Sequence, residues 1–511
     1  MASLSTAQSI VLAILVSILS YVTNQIYRFV KLMKVEEDSE RQLDLWYAKN
    51  REQPFYEVRF PLRLLPSQTH VLDYGLWRKM YKNTSTFDAK ELHRYFNVDI
   101  HGLPSTLLDP SSSDSQSLSK IERILHHTLS PLNLSSLVHS FNTCIAHEVT
   151  SLKETVSVEG QKIELHRVCY EAMVRASAKA FFGSTFPLDG LPEMIRTFEA
   201  DFQGIYITSK LPWPIGALLR WTVLRKGIEY QEKLRALCLQ FHKNGLAEDS
   251  SLSVKKVRAV LEETRWSEES CARFWKVLLF VLSSNLSDSV AWTMVHLLQS
   301  PSLLSQIKSE ITNLPSQSTL FLNYTADELT THLPTLLSAF HETMRLRAGP
   351  AMGRVAKQDT VLSSDKHEVP IKKGTVLVVP TRSLHVNEKV WKEPFVFDGT
   401  RFVRSEGRER VKDLYYFGAG ATHCAGRHVA IAAVLSTITM ILLNFEFDVE
   451  RLDIRMKEGQ KMEGQRLEVD DVGERGTARW TGRENSWKSN ISGVWRAKGG
   501  FWIHVKPIEK N

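Results

Sequence analysis

Apolar and polar positions divide this chain into a short apolar head, a long helical body and a polar tail. Ala2 to Tyr27 carries no charge, its apolar heart is Ile10 to Val22, and Arg28, Lys31 and Lys34 follow. A cleaved leader places positive charge ahead of its apolar run. Here the charge lies behind, and the run is close to the ~20 residues that cross a bilayer. It therefore reads as an anchor, with Ser17, Ser20 and Asn24 leaving a helix lying in the interface as the alternative. Further on, His70 to Leu76 and Phe96 to Leu103 read as short strands. Helical periods dominate from Ser117 to Tyr170, with the serine-rich stretch from Ser111 to Ser115 as the capping loop ahead of Arg123. Ile205 to Ile215, with Pro212 and Pro214, reads as a loop between two helices, fit either for burial or for a membrane surface. Ala272 to Leu298 is the longest helical pattern, about 40 Å at 1.5 Å per residue. The polar run Ser283 to Asp288 at its centre argues against lipid on all sides. Pro301 opens another helix, Asp327 to Arg347 forms one more, and Val355 to Val379 breaks into short β segments around Gly374. Residues 454–499 are polar and glycine-punctuated, reading as hairpins or an insertion before a strand from Gly500 to Val505.

Composition narrows the class. At 511 residues with 43 % apolar and 9 % aromatic residues, the chain has ample core for one large unit, 35–511, behind an anchor and its basic flank, 1–34. The formal charge of +7 suits anionic lipid headgroups or an acidic protein partner. No dense Lys/Arg block appears, so no nucleic-acid partner is expected. The five cysteines, Cys144, Cys169, Cys238, Cys271 and Cys424, are scattered and odd in number. They have neither a zinc spacing nor a disulfide framework, which places the body in a reducing compartment.

The candidate chemistry lies at Phe417 to Gly426. Cys424 sits in a glycine-rich loop that opens a helix, where unpaired N–H groups favour an anion, and for cysteine that anion is the metal-binding thiolate. A dinucleotide reading of Gly418 and Gly420 fails, because the third glycine of that fingerprint is missing. The run fits F-x-x-G-x-x-x-C-x-G throughout and resembles the haem-ligand loop of the cytochrome P450 family. Glu342-Thr-Met-Arg345 matches the family's E-x-x-R. The segment from Pro394 through Arg401 and Phe402 resembles the one whose arginine completes a buried Glu–Arg–Arg network. Gly353-Arg354 follows where a haem-propionate arginine is often found, and Arg123 lies where a second such contact is common.

The resemblance implies a mainly α fold with small β-sheets. It implies haem b held by the Cys424 thiolate, with Phe417 near the sulphur and Gly418, Gly420 and Gly426 letting backbone approach the porphyrin. Glu342, Arg345 and Arg401 are then expected to fix the scaffold. Two departures stand out. Thr422 replaces the usual basic residue two before the cysteine. In the long helix the acid–alcohol pair falls on Ser284 and Asn285, the usual small pair on Val281 and Leu282, and Asp288 lies one turn further on. Asn285 in place of the alcohol resembles the sterol 7α-/12α-hydroxylase and prostacyclin synthase branch, which contains hydroxylases and isomerases. An amide binds an oxygen but cannot relay a proton as a hydroxyl does.

With the apolar head as a single-pass anchor, the resemblance implies a monooxygenase on the cytosolic side of the endoplasmic reticulum membrane. It would insert one atom of O2 into a lipophilic substrate such as a sterol or terpenoid, with electrons from NADPH through a reductase. The basic residues Arg404, Arg408, Arg410 and Lys412 would steer that donor or simply be solvated. The alternative is a haem-thiolate isomerase or dehydratase that needs no external electrons. From another class, a non-catalytic haem protein would be marked by loss of the Cys424 loop, which is intact.

Overall fold

The computed structural model describes residues 55–58, 68–315 and 321–455, except positions 89, 210, 212, 265 and 350, together with 477–479, 487–488, 496–497 and 500–508. The head at 1–34 and most of the polar tail lie outside these residues. The first helices are α1 (Tyr74–Lys82), α2 (Lys90–Asp99), α3 (Ser113–Thr128), α4 (Ser135–Thr155) and α5 (Leu165–Phe182). Next come α6 (Leu191–Ser209), α7 (Ile215–Thr222), α8 (Arg225–Asn244), α9 (Leu252–Glu263) and α10 (Glu268–Leu298). Then follow α11 (Pro301–Thr312), α12 (Ala326–His332), α13 (Pro334–Arg347), α14 (Thr381–His385), α15 (Ser405–Arg410) and α16 (Arg427–Asn444). Helix α10 is the axis of the body, packing against α5, α8, α13 and α16. Both α10 and α16 are long and apolar enough to cross a membrane, yet most of each is buried inside the protein. Their apolar character therefore serves the core.

The sheets are small. β1 (Phe55–Val58), β2 (Gln68–Val71), β3 (Phe87–Asp88), β5 (Ala351–Ala356) and β8 (Val376–Pro380) form one, ordered β1-β2-β8-β5-β3, in which only β2 and β8 run parallel. β4 (Gln161–Glu164) and β10 (Phe445–Arg455) flank β14 (Gly500–Pro507), the strand expected from Gly500 to Val505. The segment between them contributes to a further sheet. Its strand β11 (Thr477–Arg479) pairs antiparallel with β9 (Val396–Asp398), the segment next to Arg401, as β6 (Thr360–Ser363) does with β7 (Glu368–Ile371) and β12 (Trp487–Lys488) with β13 (Arg496–Ala497).

Several local expectations fail for identifiable reasons, and of the loop expected from Ile205 to Ile215 the first five residues still belong to α6. Phe96 to Leu103 is no strand. It is the end of α2 and a reversal at Gly102 (φ 71°), after which the Leu103 N–H reaches Asn97 O at 3.1 Å. The alternating apolar residues were helix and turn positions, with Ile100 and Leu103 buried in the main core. His70 to Leu76 is strand only through Val71, because Asp73 caps α1 by accepting from Leu76 N–H at 2.8 Å. Asp327 to Arg347 is two helices, since Pro334 cannot donate to the preceding turn and starts its own. By contrast, Ser112 caps α3 as the serine-rich loop foretold.

Several histidines are buried neutral. Burial holds His341 down to about 4 and His385 to about 3. The unfolded chain binds protons on these rings below about pH 6.5, where the folded chain does not. Stability is thus full above pH 6.5 and falls as pH drops toward 4, by ~1.4 kcal/mol per pH unit for each such ring. Thermal midpoints should be level from pH 8 to 7 and decline steadily from 6.5 to 4.5; a level profile down to 4.5 contradicts this.

Candidate active site

The cysteine loop is closed by its own backbone. Gly418 N–H donates to Tyr415 O at 2.9 Å and Cys424 N–H to Phe417 O at 2.8 Å. Gly418 (φ 77°) and Gly420 (φ 59°) take left-handed conformations, and a Cβ on Gly418 would stand 2.7 Å from Thr422 O. These two glycines are therefore needed by the loop's internal turn. Gly426 caps α16, with its missing Cβ position 4.0 Å from Cys424 Sγ. Burial pushes the Cys424 thiol up, while Gly426 N–H and the Arg427 charge pull the other way. The Phe417 ring packs against the main core and lies 4.6 Å from that of Tyr416.

Behind the loop, the charged residues form one cluster. Glu342 and Arg345 on α13 have side chains with no exposed surface, and that of Arg401 is 11 % exposed. Glu342 Oε2 accepts from Arg345 Nε at 2.8 Å and Arg401 Nε at 3.0 Å. Its Oε1 accepts from Arg345 Nη2 at 2.8 Å and Asp398 N–H at 3.1 Å. Arg345 Nη1 donates to the carbonyls of His385 and Pro394, each at 2.7 Å. His385 Nε2 in turn accepts from Tyr415 N–H at 2.9 Å. A continuous hydrogen-bonded path thus runs from Glu342 through Arg345, His385 and Tyr415 to the closed loop of Cys424. His385, Asp398 and Tyr415 are participants that sequence spacing did not single out.

Arg354 on β5 is 1 % exposed and reaches the same loop, donating from Nη2 to Thr422 Oγ1 at 3.2 Å and Ala419 O at 3.4 Å. Its Nε is buried without a hydrogen-bond partner. Arg123 is exposed, with Nε 3.4 Å from Ser119 O. One turn on, His126 is close enough to the loop to depress His423, behind the larger effects of burial, Arg427 and His428. In the basic run Arg404, Arg408, Arg410 and Lys412 are all exposed, Arg404 pairing with Asp398 and Arg410 with Asp413.

Helix α10 separates the residues expected to act together. From Cys271 to Leu298 Val281 is the exposed residue, at 57 %, and Arg273, Val277, Leu282, Asn285 and Leu286 are half-buried. These positions form one open stripe, with Val277, Val281 and Asn285 at four-residue steps. Asn285 lies on it. Ser284 is 1 % exposed and turns inward, so it does not share the open face. Asp288 also turns away: it is fully buried, 2.6 Å from His166 Nε2 on α5. Ser283, Ser287, Ser289 and Thr293 each donate to the carbonyl four residues back, as helix hydroxyls commonly do.

A glycine-turned cysteine loop at a helix start, a buried acid–arginine cluster behind it and an open stripe on the long helix fit a haem-binding helical fold. The haem domain of cytochrome P450DA superposes with a TM-score of 0.65 at 16 % identity, over 90 % of this chain and 92 % of that one. Residues 24–466 match the description of the cytochrome P450 family, and the chain belongs to that family. The family's cofactor is haem held by a cysteine thiolate. The residues present fit it: a loop cysteine beside a helix start, and a buried guanidinium with a free donor. Among similar proteins, cytochrome P450 monooxygenase nodJ of Hypoxylon pulicicidum is 24 % identical over 64 % of each chain. Rat prostacyclin synthase is 27 % identical over 39 % of this chain and 42 % of its own. A 12-alpha-hydroxylase of Sus scrofa is 25 % identical over 57 % and 60 %. The alignments thus span about two fifths to two thirds of these relatives, which include the branch that the Asn285 departure resembles.

Glu342→Gln should leave two buried guanidiniums without their shared anion, at a cost of about 3–5 kcal/mol. The expected outcome is a lowered unfolding midpoint and loss of haem-loaded protein. A variant with parental stability and haem content would show that the cluster does not hold the site.

Proposed function

We propose that this protein is a haem-thiolate monooxygenase with Cys424 as the iron ligand. The observation that carries this reading is the Cys424 loop, closed on itself and tied through His385 to a buried ionic cluster. The haem would supply oxygen activation, with the thiolate favouring O–O cleavage. The overall change is RH + O2 + NADPH + H⁺ → ROH + H2O + NADP⁺, with electrons delivered by a reductase. Arg354, and Arg123 on the α3 side of the loop, are the residues assigned to the propionates. Glu342, Arg345 and Arg401 act as scaffold.

Asn285 is the polar group at the middle of the open stripe, Arg273 near its start being paired with Glu269. Its amide orients a water or a substrate oxygen but transfers no proton of its own. Ser284 faces inward and Asp288 is bonded to His166. Proton delivery therefore runs through water held at Asn285, with Ser284 at most assisting from the inner side. The same amide supports the second reading, an isomerase or dehydratase of an oxygenated lipid, in which Asn285 orients the substrate oxygen and no electrons enter. Similarity to prostacyclin synthases favours keeping it.

A lipophilic substrate, a sterol or terpenoid in the first instance, and a membrane site agree with the surface around α7. Trp213, Leu218, Trp221 and Val223 are strongly exposed there, beside a groove of ≈ 690 Å³ of mixed lining, with Val98, Leu211 and Trp221 next to Asp99, Arg220 and Arg225. With the apolar head at 1–34 as anchor, this face would rest on the endoplasmic reticulum membrane.

The test compares the parent with Asn285→Ala, with and without NADPH and reductase. A monooxygenase turns over only with both, and the variant should form less product per NADPH and release more peroxide. Electron-free turnover by the parent would establish the isomerase reading. If the substitution changes neither coupling nor electron-free turnover, Asn285 is a helix residue only.

A further inference from the structure

Arg354 poses a charge problem that its known neighbours do not solve. Its guanidinium is buried, and its acceptors are the Gly353 and Ala419 carbonyls and the Thr422 hydroxyl, all neutral. Among the described residues no carboxylate forms an ion pair with it, and Asp88 acts only from a distance. A buried cation without a counter-anion is strongly unfavourable, so an anion is expected from outside the chain. Beside it stands Tyr81, at the end of α1 and 7 % exposed, with its ring centroid 3.8 Å from Arg354 Cζ. This stacking favours the guanidinium but does not neutralise it. The Tyr81 hydroxyl lies by Arg354 and Thr422, yet it is buried and meets no partner in hydrogen-bonding geometry. Two unused donors, a phenol O–H and a guanidinium Nε–H, thus occur together at the edge of the cysteine loop. The missing Cβ position of Gly420 is 3.6 Å from the Tyr81 ring. Buried donors left unmade are costly, and two at one place point to a shared acceptor.

We propose that Tyr81 and Arg354 form a clasp for one carboxylate, a haem propionate, with the Tyr81 hydroxyl compensating for the neutral Thr422 where a basic residue is usual. The inference rests on the haem reading above and adds to it a residue on α1, 343 positions before Cys424. Thr422 has a matching role: its hydroxyl accepts from Arg354 and donates to Ala419 O at 3.1 Å, which holds the guanidinium in place. Threonine at 422 thus orders Arg354 without setting a second cation beside it.

The test uses the full-length holoprotein and its Tyr81→Phe variant, which keeps the ring under Arg354. Haem loss to an excess of apoglobin should be about ten-fold faster from the variant, as expected for one charge-assisted hydrogen bond. Both proteins are then reconstituted with haem dimethyl ester, whose propionates cannot accept as anions, and their loss rates should become equal. Equal rates with natural haem would overturn the clasp. So would a difference that persists with the ester, since Tyr81 would then act by packing or on another carboxylate. The ferrous–CO spectrum separates this from the parent reading. Without a thiolate-type Soret band in the parent, the haem assignment fails and the clasp with it; with the band present, the loss rates decide the clasp alone.

Discussion

The site depends on a single buried carboxylate. Glu342 accepts four hydrogen bonds, two from Arg345, one from Arg401 and one from the Asp398 backbone. A carboxylate with every lone pair engaged is acceptable in the interior, whereas one with a missing partner is not. That requirement fixes α13 against the segment 392–402. Arg345 then extends the order to His385, and the neutral imidazole of His385 holds Tyr415 at the entrance of the cysteine loop. The loop's position is thus set by a chain of polar contacts in which each member is buried and used.

On the opposite side, α10 solves a conflict between burial and chemistry. A 31-residue core helix must be apolar almost all round, yet the site needs one polar group on its open stripe. Asn285 is proposed to provide it, while Ser283, Ser287, Ser289 and Thr293 donate to the helix's own carbonyls. Asp288 is tied to His166, so it stabilises the α5–α10 contact and is withdrawn from the open face. Neither Ser284 nor Asp288 shares the open face with Asn285, whose amide is proposed to order the oxygen that approaches.

Much of this was legible in the sequence because it was local. The loop from Phe417 to Gly426, the i,i+3 pair Glu342 and Arg345, and the long helical period from Ala272 each carry their signal within a few turns. The stripe that separates Asn285 from Ser284 follows from helix geometry, but only neighbours reveal which side of a wholly apolar helix stays open. What escaped was non-local or subtle. Tyr81 and His385 lie far from the loop in sequence, and a lone tyrosine or histidine in a helical stretch has no distinguishing pattern. Phe96 to Leu103 misled because alternating apolar residues at a helix end mimic a strand, and the helical break before Pro334 was hidden by a continuous apolar period. Gly418 has a second requirement that sequence did not show: its positive φ and the nearby Thr422 carbonyl impose a turn, beside the close approach to a ligand expected of it.

The account stands or falls on the sulphur of Cys424. Iron K-edge X-ray absorption on the haem-loaded protein reports the ligand directly and does not depend on substrate, reductase or folding yield. The parent should show one sulphur scatterer on iron, and Cys424→Ser should replace it with a light atom while keeping haem. A sulphur scatterer that survives this substitution, or none in the parent, would contradict the assignment.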